Sequence, residues 1–556
     1  MTQTNPYTIL SIGPIYNAFQ VADNTRAMWT VSFMFSYLMR ETIKKLIIAK
    51  KDKDFLVPNI TEDFEKYLAN EQRIGLFHDR IILKGEHAEL VNNAFVESTE
   101  ELTQIIINTF KLTHTDNFRY VKIEYEEYKV KQYFHNYFQS YVAQVCIDEH
   151  KSPLLELSKY IDAVEHEPKL APFEEEEYLF LFLRLTNLGL LQKTAFGEEA
   201  FEVEKERCFK SLPEIAAWEL VKEQADTWKK THLCLKIDDA TRLKDNIKNP
   251  NGEAKEILDT LQEEHKETFK PYHKYVAIVH GDGDAFGKHL ENIGNDETEI
   301  KKFSDDIFQF ITASRDCIRE YGGYPVVGSG EDLLFFAPLI VKDENIFTQI
   351  NKIDEIFQDI FKNPQLSMSY GVSVSYYKFP LQEAIEISAK SLWNEAKKSV
   401  WLSNYNLEGT VKKKNAIHIN IQKHSGQSHE LTLAKDTVLY KQFVQLLKSE
   451  LNSDEKLHLP HALHHSLERV STIVDSMPTD NIEPFFENMF NENVHQTNHK
   501  EALRAIQNIL QLLKDHTYLG HIKRRYKTDG SEETYLKPSE VVFSMLSIIK
   551  MLRGDA

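Results

Sequence analysis

Between Tyr275 and Ile421 the chain switches between two hydrophobic periods in an order that few folds satisfy. Tyr275–Val279 (YVAIV) is a short apolar run of the kind a buried strand carries. Helical periodicity follows from Ile300 to Ile318. Tyr324–Val327 and Leu333–Ala337 (LLFFA) are two further strand signals, separated by the tight turn GSGED. Ile346–Phe361 sets Ile346, Ile350, Ile353 and Phe357 on one stripe. Leu366–Tyr376 reads as a strand, Pro380–Lys398 opens with proline as a helix does, and Ala416–Ile421 is a last strand. The order β, α, β-turn-β, α, β, α, β predicts a ferredoxin-like βαββαβ core with additions over residues 270–425.

The flanks read more simply. Residues 7–16 (YTILSIGPIY) form a strand entering a Gly-Pro turn, and Thr25–Ala49 a long helix. Short strands are expected at 55–58 and 74–84, then helical patterns from Ala88 to about residue 225. The polar stretch 240–270 reads as a linker or exposed helix pair. The last 125 residues read as helices only, with Leu503, Ile506, Leu510 and Leu513 on one stripe and Val541, Met545, Ile548 and Leu552 on another.

With 556 residues the chain is long enough for three or four domains. Its 66 Lys and Arg against 85 Asp and Glu give a net charge of −19, which argues against a protein that mainly coats nucleic acid. Cys146, Cys208, Cys234 and Cys317 are scattered, with no CxxC, so zinc is not expected and a reducing compartment fits. Met28–Met39 is too short to span a bilayer and no secretory signal opens the chain. The expectation is a soluble, cytoplasmic protein without a membrane partner.

The chemistry sits in two acidic turns. Asp282-Gly283-Asp284 ends the first strand of the βαββαβ pattern, and Gly328-Ser329-Gly330-Glu331-Asp332 joins the second to the third. Either motif alone is an ordinary turn. The first and third strands of such a sheet are neighbours, so the two turns share an edge and four carboxylates converge. Carboxylates so placed suit two hard divalent ions, Mg²⁺ or Mn²⁺, with open positions for phosphate oxygens. Gly287-Lys288 opens the next helix, whose N-terminus favours phosphate. Lys397 could bring a cation to a triphosphate.

At these residues the chain resembles the palm of nucleotidyl cyclases and polymerases. More closely, it resembles the large polymerase/cyclase subunit of type III-B (Cmr-type) CRISPR effector complexes. SIGPIYNAF with NTRAMWTVSFMFSYL, CFKSLPEIAAWEL, YVAIVHGDGDAFGKHL, GSGEDLLFFAPL, SMSYGVSVSYYKFPLQEAIEISAKSLWNEAKK and INIQKHSGQ follow that family's motifs in order.

The resemblance implies an α+β multidomain chain with two ferredoxin-like palms. They are a degenerate one over 1–150 and an active one over 271–430, with helical domains over 151–270 and 431–556. It matches Asp282, the Gly283 carbonyl, Glu331 and Asp332 to metal ligands, with Asp282, Glu331 and Asp332 catalytic. Asp284, Phe286, Gly287, Lys288, Gly328, Ser329, Gly330 and Lys397 match nucleotide-binding positions. Glu331 stands where the family usually has Asp, and Ser329 where it has Gly.

The implied activity is RNA-guided antiviral defence. ATP would be converted to a cyclic oligoadenylate second messenger, alongside other Cmr-type subunits, guide RNA and target RNA. One alternative joins AMP from ATP to S-adenosylmethionine, and another is a silent scaffold. Clustered carboxylates repel one another without metal, which counts against the scaffold. An HD nuclease domain is not expected: the chain begins at the family's second unit, and His78-Asp79 lacks the spaced histidines of a dinuclear site. His461 and His465 in HLPHALHHSL, and the basic run Lys523-Arg524-Arg525, read as surface or partner contacts.

Overall fold

The computed structural model describes residues 4–69, 74–114, 123–165, 177–186, 211–223, 252–402, 411–451, 467–489, 500–514, 525–526, 532–533 and 537–554. Cys208, Cys234, His461, His465, Lys523 and Arg524 lie outside them.

The N-terminal sheet contains β1 (Thr4–Gly13), β2 (Phe55–Val57), β3 (Arg80–Lys84) and β4 (Gln139–Asp148) in the order β2-β3-β1-β4, all antiparallel. Between β1 and β2 runs the helix Thr25–Ile48, capped by the Asn24 side chain on Ala27 N, and between β3 and β4 the helix Ala88–Leu112. This is a βαββαβ unit. The strand β4 corrects the expectation of helix alone after Ala88: Tyr141, Ala143, Val145 and Ile147 fall on one face, with Ser140, Gln144 and Asp148 on the other, a period-two signal masked by the aromatic helix Glu127–Tyr137 just before it. The strand expected at 74–84 begins only at Arg80; residues 74–79 are irregular.

The second sheet is built from β5 (Tyr275–Asp284), β6 (Tyr324–Ser329) and β7 (Asp332–Pro338), with β8 (Ile340–Val341) and β9 (Glu344–Asn345) forming a small separate hairpin. Then come β10 (Ser367–Tyr376), the short pair β11 (Val400–Leu402) and β12 (Val411–Lys413), and finally β13 (Ala416–Gln422) and β14 (Ser428–Ala434). The main sheet runs β14-β13-β10-β5-β7-β6, so β5 lies between β7 and β10 as the βαββαβ pattern requires. The helices Glu297–Glu320 and Ile346–Phe361 are capped by Asp296 and Asn345. In β14 the chain continues the sheet beyond residue 430, which corrects the reading of the last 125 residues as helices only. Arg525–Tyr526 also pairs with Glu532–Glu533.

The two βαββαβ units share packing. Phe308, on the helix Glu297–Glu320, meets Phe64, Tyr67 and Phe77 of the N-terminal unit at centroid distances of 5.0 to 5.9 Å. Asn59 donates to Asp305 at 2.7 Å, and Gly328 N donates to Gly75 O at 3.2 Å. Among the described residues no helix is long and apolar enough to cross a membrane; Met28–Met39 is core.

Candidate active site between the two palms

Strand register brings the acids together. The β5–β7 ladder pairs His280 with Leu334 and Gly281 with Leu333, so one further step sets Asp282 opposite Asp332. At Gly283 the approach is close: a β-carbon there would stand 2.9 Å from Glu331 Cβ and 2.1 Å from the Phe286 ring. Only glycine permits that contact.

Asp282 and Asp284 are both buried, but their surroundings differ. Asp284 Oδ2 accepts from Ser367 Oγ at 3.0 Å, Ser369 Oγ at 2.7 Å and Asn415 N at 2.9 Å. Asp282 has no such neutral anchor among these contacts; its Oδ1 lies 2.9 Å from Lys397 Nζ. Burial raises the Asp282 carboxyl, Lys397 draws it down, and Glu331 and Asp284 push it up again, with a raised net result.

Lys397 was read from sequence as a phosphate-facing lysine. Its ammonium instead sits on the acids: 2.7 Å from Asp284 Oδ1, 2.7 Å from Gly283 O and 3.1 Å from Asp282 O. The expected single helix Pro380–Lys398 is also broken. It is α-helical over Leu381–Lys390, becomes a π turn over Ser391–Glu395 and tightens to 3₁₀ over Ala396–Lys398. Such π segments gather at functional sites.

Asp332 is exposed at the start of β7 and lines two cavities. Burial, then Glu331 and Asp282, push it up to about 7. Across the turn stands His78, a residue the sequence reading set aside. It precedes β3 and does not belong to it. Its Nδ1 lies 2.5 Å from Asp79 Oδ1, and its ring abuts Gly330. Burial disfavours the imidazolium, but Asp79, Glu331 and Asp332 together raise His78 to about 9. The N-terminal unit therefore contributes charge to the site, although its own Gly13-Pro14 turn has no acid pair.

The remaining nucleotide-binding candidates divide. Phe286 is a core ring packed on Phe303, Phe357 and Phe361, which corrects its reading as nucleotide-facing. Gly287 and Lys288 are exposed in the first turn of the helix Phe286–Ile293. Gly328 is fixed by Gly75 and by Ile311 against its α-carbon, Ser329 lines the smaller cavity, and Gly330 turns with φ of +63°.

The cavities lie between the units. One, of about 560 Å³, is walled by Tyr16, Phe19, Met28 and Trp393 and reaches His280 and Asp332. His280 sits 2.7 Å from Ser388 Oγ, and burial lowers it to about 4, so it is neutral. The other, about 480 Å³, is lined by His78, Asp79, Arg80, Ser329 and Asp332.

Among the described residues no three His, Cys, Asp or Glu side chains form a metal group on their own. The oxygens that converge on Lys397 nevertheless include two main-chain carbonyls and two carboxylates, the donor set a hard cation takes. The Lys397 ammonium occupies the centre of that oxygen set.

A family described as "Cas10/Cmr2, second palm domain" matches residues 275–401, and one described as "CRISPR-associated protein Cmr2, N-terminal" matches residues 7–136. No curated protein matches the sequence. Among solved structures, the chain is similar to a type III-B Cmr-beta cryo-EM structure in the apo state. The TM-score is 0.63 at 12% identity, covering 99% of this chain and 82% of that one. Type III-B Cmr-beta bound to cognate target RNA matches with a TM-score of 0.60 at 12% identity, covering 99% and 83%.

Proposed function

We propose that this chain, a member of the Cas10/Cmr2 family, is a nucleotidyltransferase that makes an adenylate second messenger in RNA-guided type III-B CRISPR defence. The reaction is attack of a ribose 3′-hydroxyl on the α-phosphate of ATP. A bond from the 3′-oxygen to phosphorus forms, the bond to the β-phosphate breaks, pyrophosphate leaves, and the hydroxyl proton passes to solvent. Repetition and closure give a cyclic oligoadenylate.

The observation that carries this reading is the meeting of Asp282 with Glu331 and Asp332 at one sheet edge, open to cavities between the two palms. Asp282, the Gly283 carbonyl, Glu331 and Asp332 would hold two Mg²⁺ or Mn²⁺ ions. Bound there, the ions would lower the pKa of the attacking hydroxyl and neutralise charge on the leaving group. The glycines of the 328–330 turn would let backbone approach the nucleotide, and Lys288 is exposed in the first turn of the helix Phe286–Ile293. Other Cmr-type subunits, a guide RNA and a target RNA are the proposed partners, with sequence recognition delegated to base pairing, which fits an acidic chain.

One observation favours a second acceptor. The larger cavity carries Glu383, Glu386 and Asp332, and among the described residues that line it none is Lys or Arg. A polyphosphate acceptor would be poorly matched there, whereas a cationic nucleoside such as S-adenosylmethionine would be favoured.

The test supplies α-labelled ATP and Mg²⁺ or Mn²⁺ to the complex assembled with guide and target RNA, with and without S-adenosylmethionine. Oligoadenylates formed without it support the first reading. A product that requires it selects the second. Both predict loss of product in Asp332→Ala, and product that survives this substitution would exclude the site.

A further inference from the structure

We propose that Lys397 is the resident counter-cation of the carboxylate cradle, and that a divalent ion displaces it. The freed ammonium then turns to the phosphates of the incoming nucleotide. This rests on the metal-assisted reading above and adds an order of events to it: metal first, then a lysine released for triphosphate.

The geometry states the competition. Lys397 Nζ contacts Asp282 Oδ1, Asp282 O, Gly283 O and Asp284 Oδ1 within 3.1 Å, and its side chain is only 7% exposed. A divalent ion bound to Asp282 and the Gly283 carbonyl would need the same oxygens, and two cations cannot share them at these distances. In the metal-free chain the ammonium relieves the repulsion between Asp282 and its acidic neighbours.

The cradle survives loss of the lysine. Asp284 keeps three neutral donors on Oδ2, from Ser367, Ser369 and Asn415, so its carboxylate stays in place when Oδ1 is vacated. Asp282 has only the ion to replace Lys397 among these contacts, which makes Asp282 the carboxylate that changes partner.

The segment that carries Lys397 suits such an exchange. It is a single 3₁₀ turn, Ala396–Lys398, at the end of a π turn and away from a rigid helix centre. The lysine stem has four rotatable carbons, so the ammonium can leave by a rotamer change. Trp393, 55% exposed and with its ring centroid 5.8 Å from Nζ, offers the ammonium a cation-binding face outside the carboxylate cradle.

The experiment measures Mn²⁺ binding to the full-length chain without nucleotide, by the electron paramagnetic resonance signal of free Mn²⁺. Lys397→Met should bind Mn²⁺ about tenfold more tightly than the parent, within the range of ordinary coupling between sites. In the parent chain, which needs no variant to fold, the Lys397 amine should be protected from acylation without metal and become reactive at saturating Mn²⁺. Equal affinities, or an amine still protected at saturation, would overturn the exchange while leaving the metal-assisted reading intact. Absence of Mn²⁺ binding in both proteins, with ATP present as well as without it, would overturn that reading and the exchange together.

Discussion

The His78 ring lies against the α-carbon of Gly330, so close that a β-carbon there would stand 2.7 Å from Cδ2 and 3.0 Å from Nε2. One residue belongs to the N-terminal unit and the other to the turn that carries Glu331 and Asp332. Gly330 also holds φ at +63°. Gly330→Ala thus meets two obstacles: a left-handed backbone costing roughly 1–2 kcal/mol, and a collision that pushes the imidazole away from the acids. Thermal unfolding should shift by a few degrees while nucleotide transfer by the assembled complex falls far more steeply. A variant with parental turnover would show that the turn does not depend on His78.

The same neighbours set a pH dependence of stability. His78 is raised from 6.5 to about 9, so its contribution is fully present below pH 6.5 and is lost as pH rises through 9. Asp332 is an acid raised from 3.8 to about 7, so the folded state favours its protonated form and stability of the metal-free chain falls as pH rises from 3.8 to 7. Urea midpoints measured across pH 4 to 9 should therefore decline through both windows. His78→Gln should flatten the upper window, and Asp332→Asn should abolish the lower one and also narrow the upper, because Asp332 is one of the acids that raise His78.

Gly371 of β10 is a second position where absent atoms matter. A β-carbon there would come within 2.2 Å of Leu392 N and Ser388 O, both main chain, so no rotamer change relieves the contact. These are the residues through which the helix carrying Lys397 rests on the sheet. Gly371→Ala should cost about 1–3 kcal/mol by overpacking and move the 391–398 segment outward. Denaturant unfolding would read the first effect. Increased acylation of Lys397 in the metal-free chain would read the second, and unchanged protection would show the helix position is not set at Gly371.

Much of this was legible in the sequence because the catalytic palm writes its periods clearly. YVAIV, LLFFA and the stripe Ile346, Ile350, Ile353, Phe357 are unambiguous, and chain-order rules for βαββαβ then set β5 beside β7. The strand β4 was hidden because its alternation begins directly after an aromatic helix, where Tyr133, Phe134 and Tyr137 suggest that helix continues. His78 was set aside for a different reason: beside Asp79 it reads as a nuclease dipeptide or an ordinary turn, and Glu331 and Asp332, the acids that tie it to the site, lie far along the chain. Phe286 was misread because proximity to an acidic turn says nothing about which way a ring packs. Lys397 was found, but its bonds to Asp282 and Asp284 depend on the π turn that shifts the end of its helix, which no spacing rule anticipates.

The C-terminal helices are joined to one another by a buried ion pair, Glu450 to Arg553, at 2.9 Å with side-chain exposures of 1% and 17%. Glu450 lies on the helix Val438–Leu451 and Arg553 closes the helix Pro538–Arg553, which packs on β14 at the end of the catalytic sheet. Removing one partner takes a charge-assisted contact from a group held in a buried setting, whereas removing both takes the charges away together. Arg553→Met should therefore cost about 3–5 kcal/mol, and Glu450→Leu combined with Arg553→Met should recover most of that loss. Urea denaturation of the two single variants and the double variant gives the coupling directly. Because β14 is separated from β5 by β13 and β10, the double variant should retain nucleotide transfer once folded. A double variant as unstable as Arg553→Met would mean that the loss arises from the apolar contacts of the arginine stem and not from the ion pair.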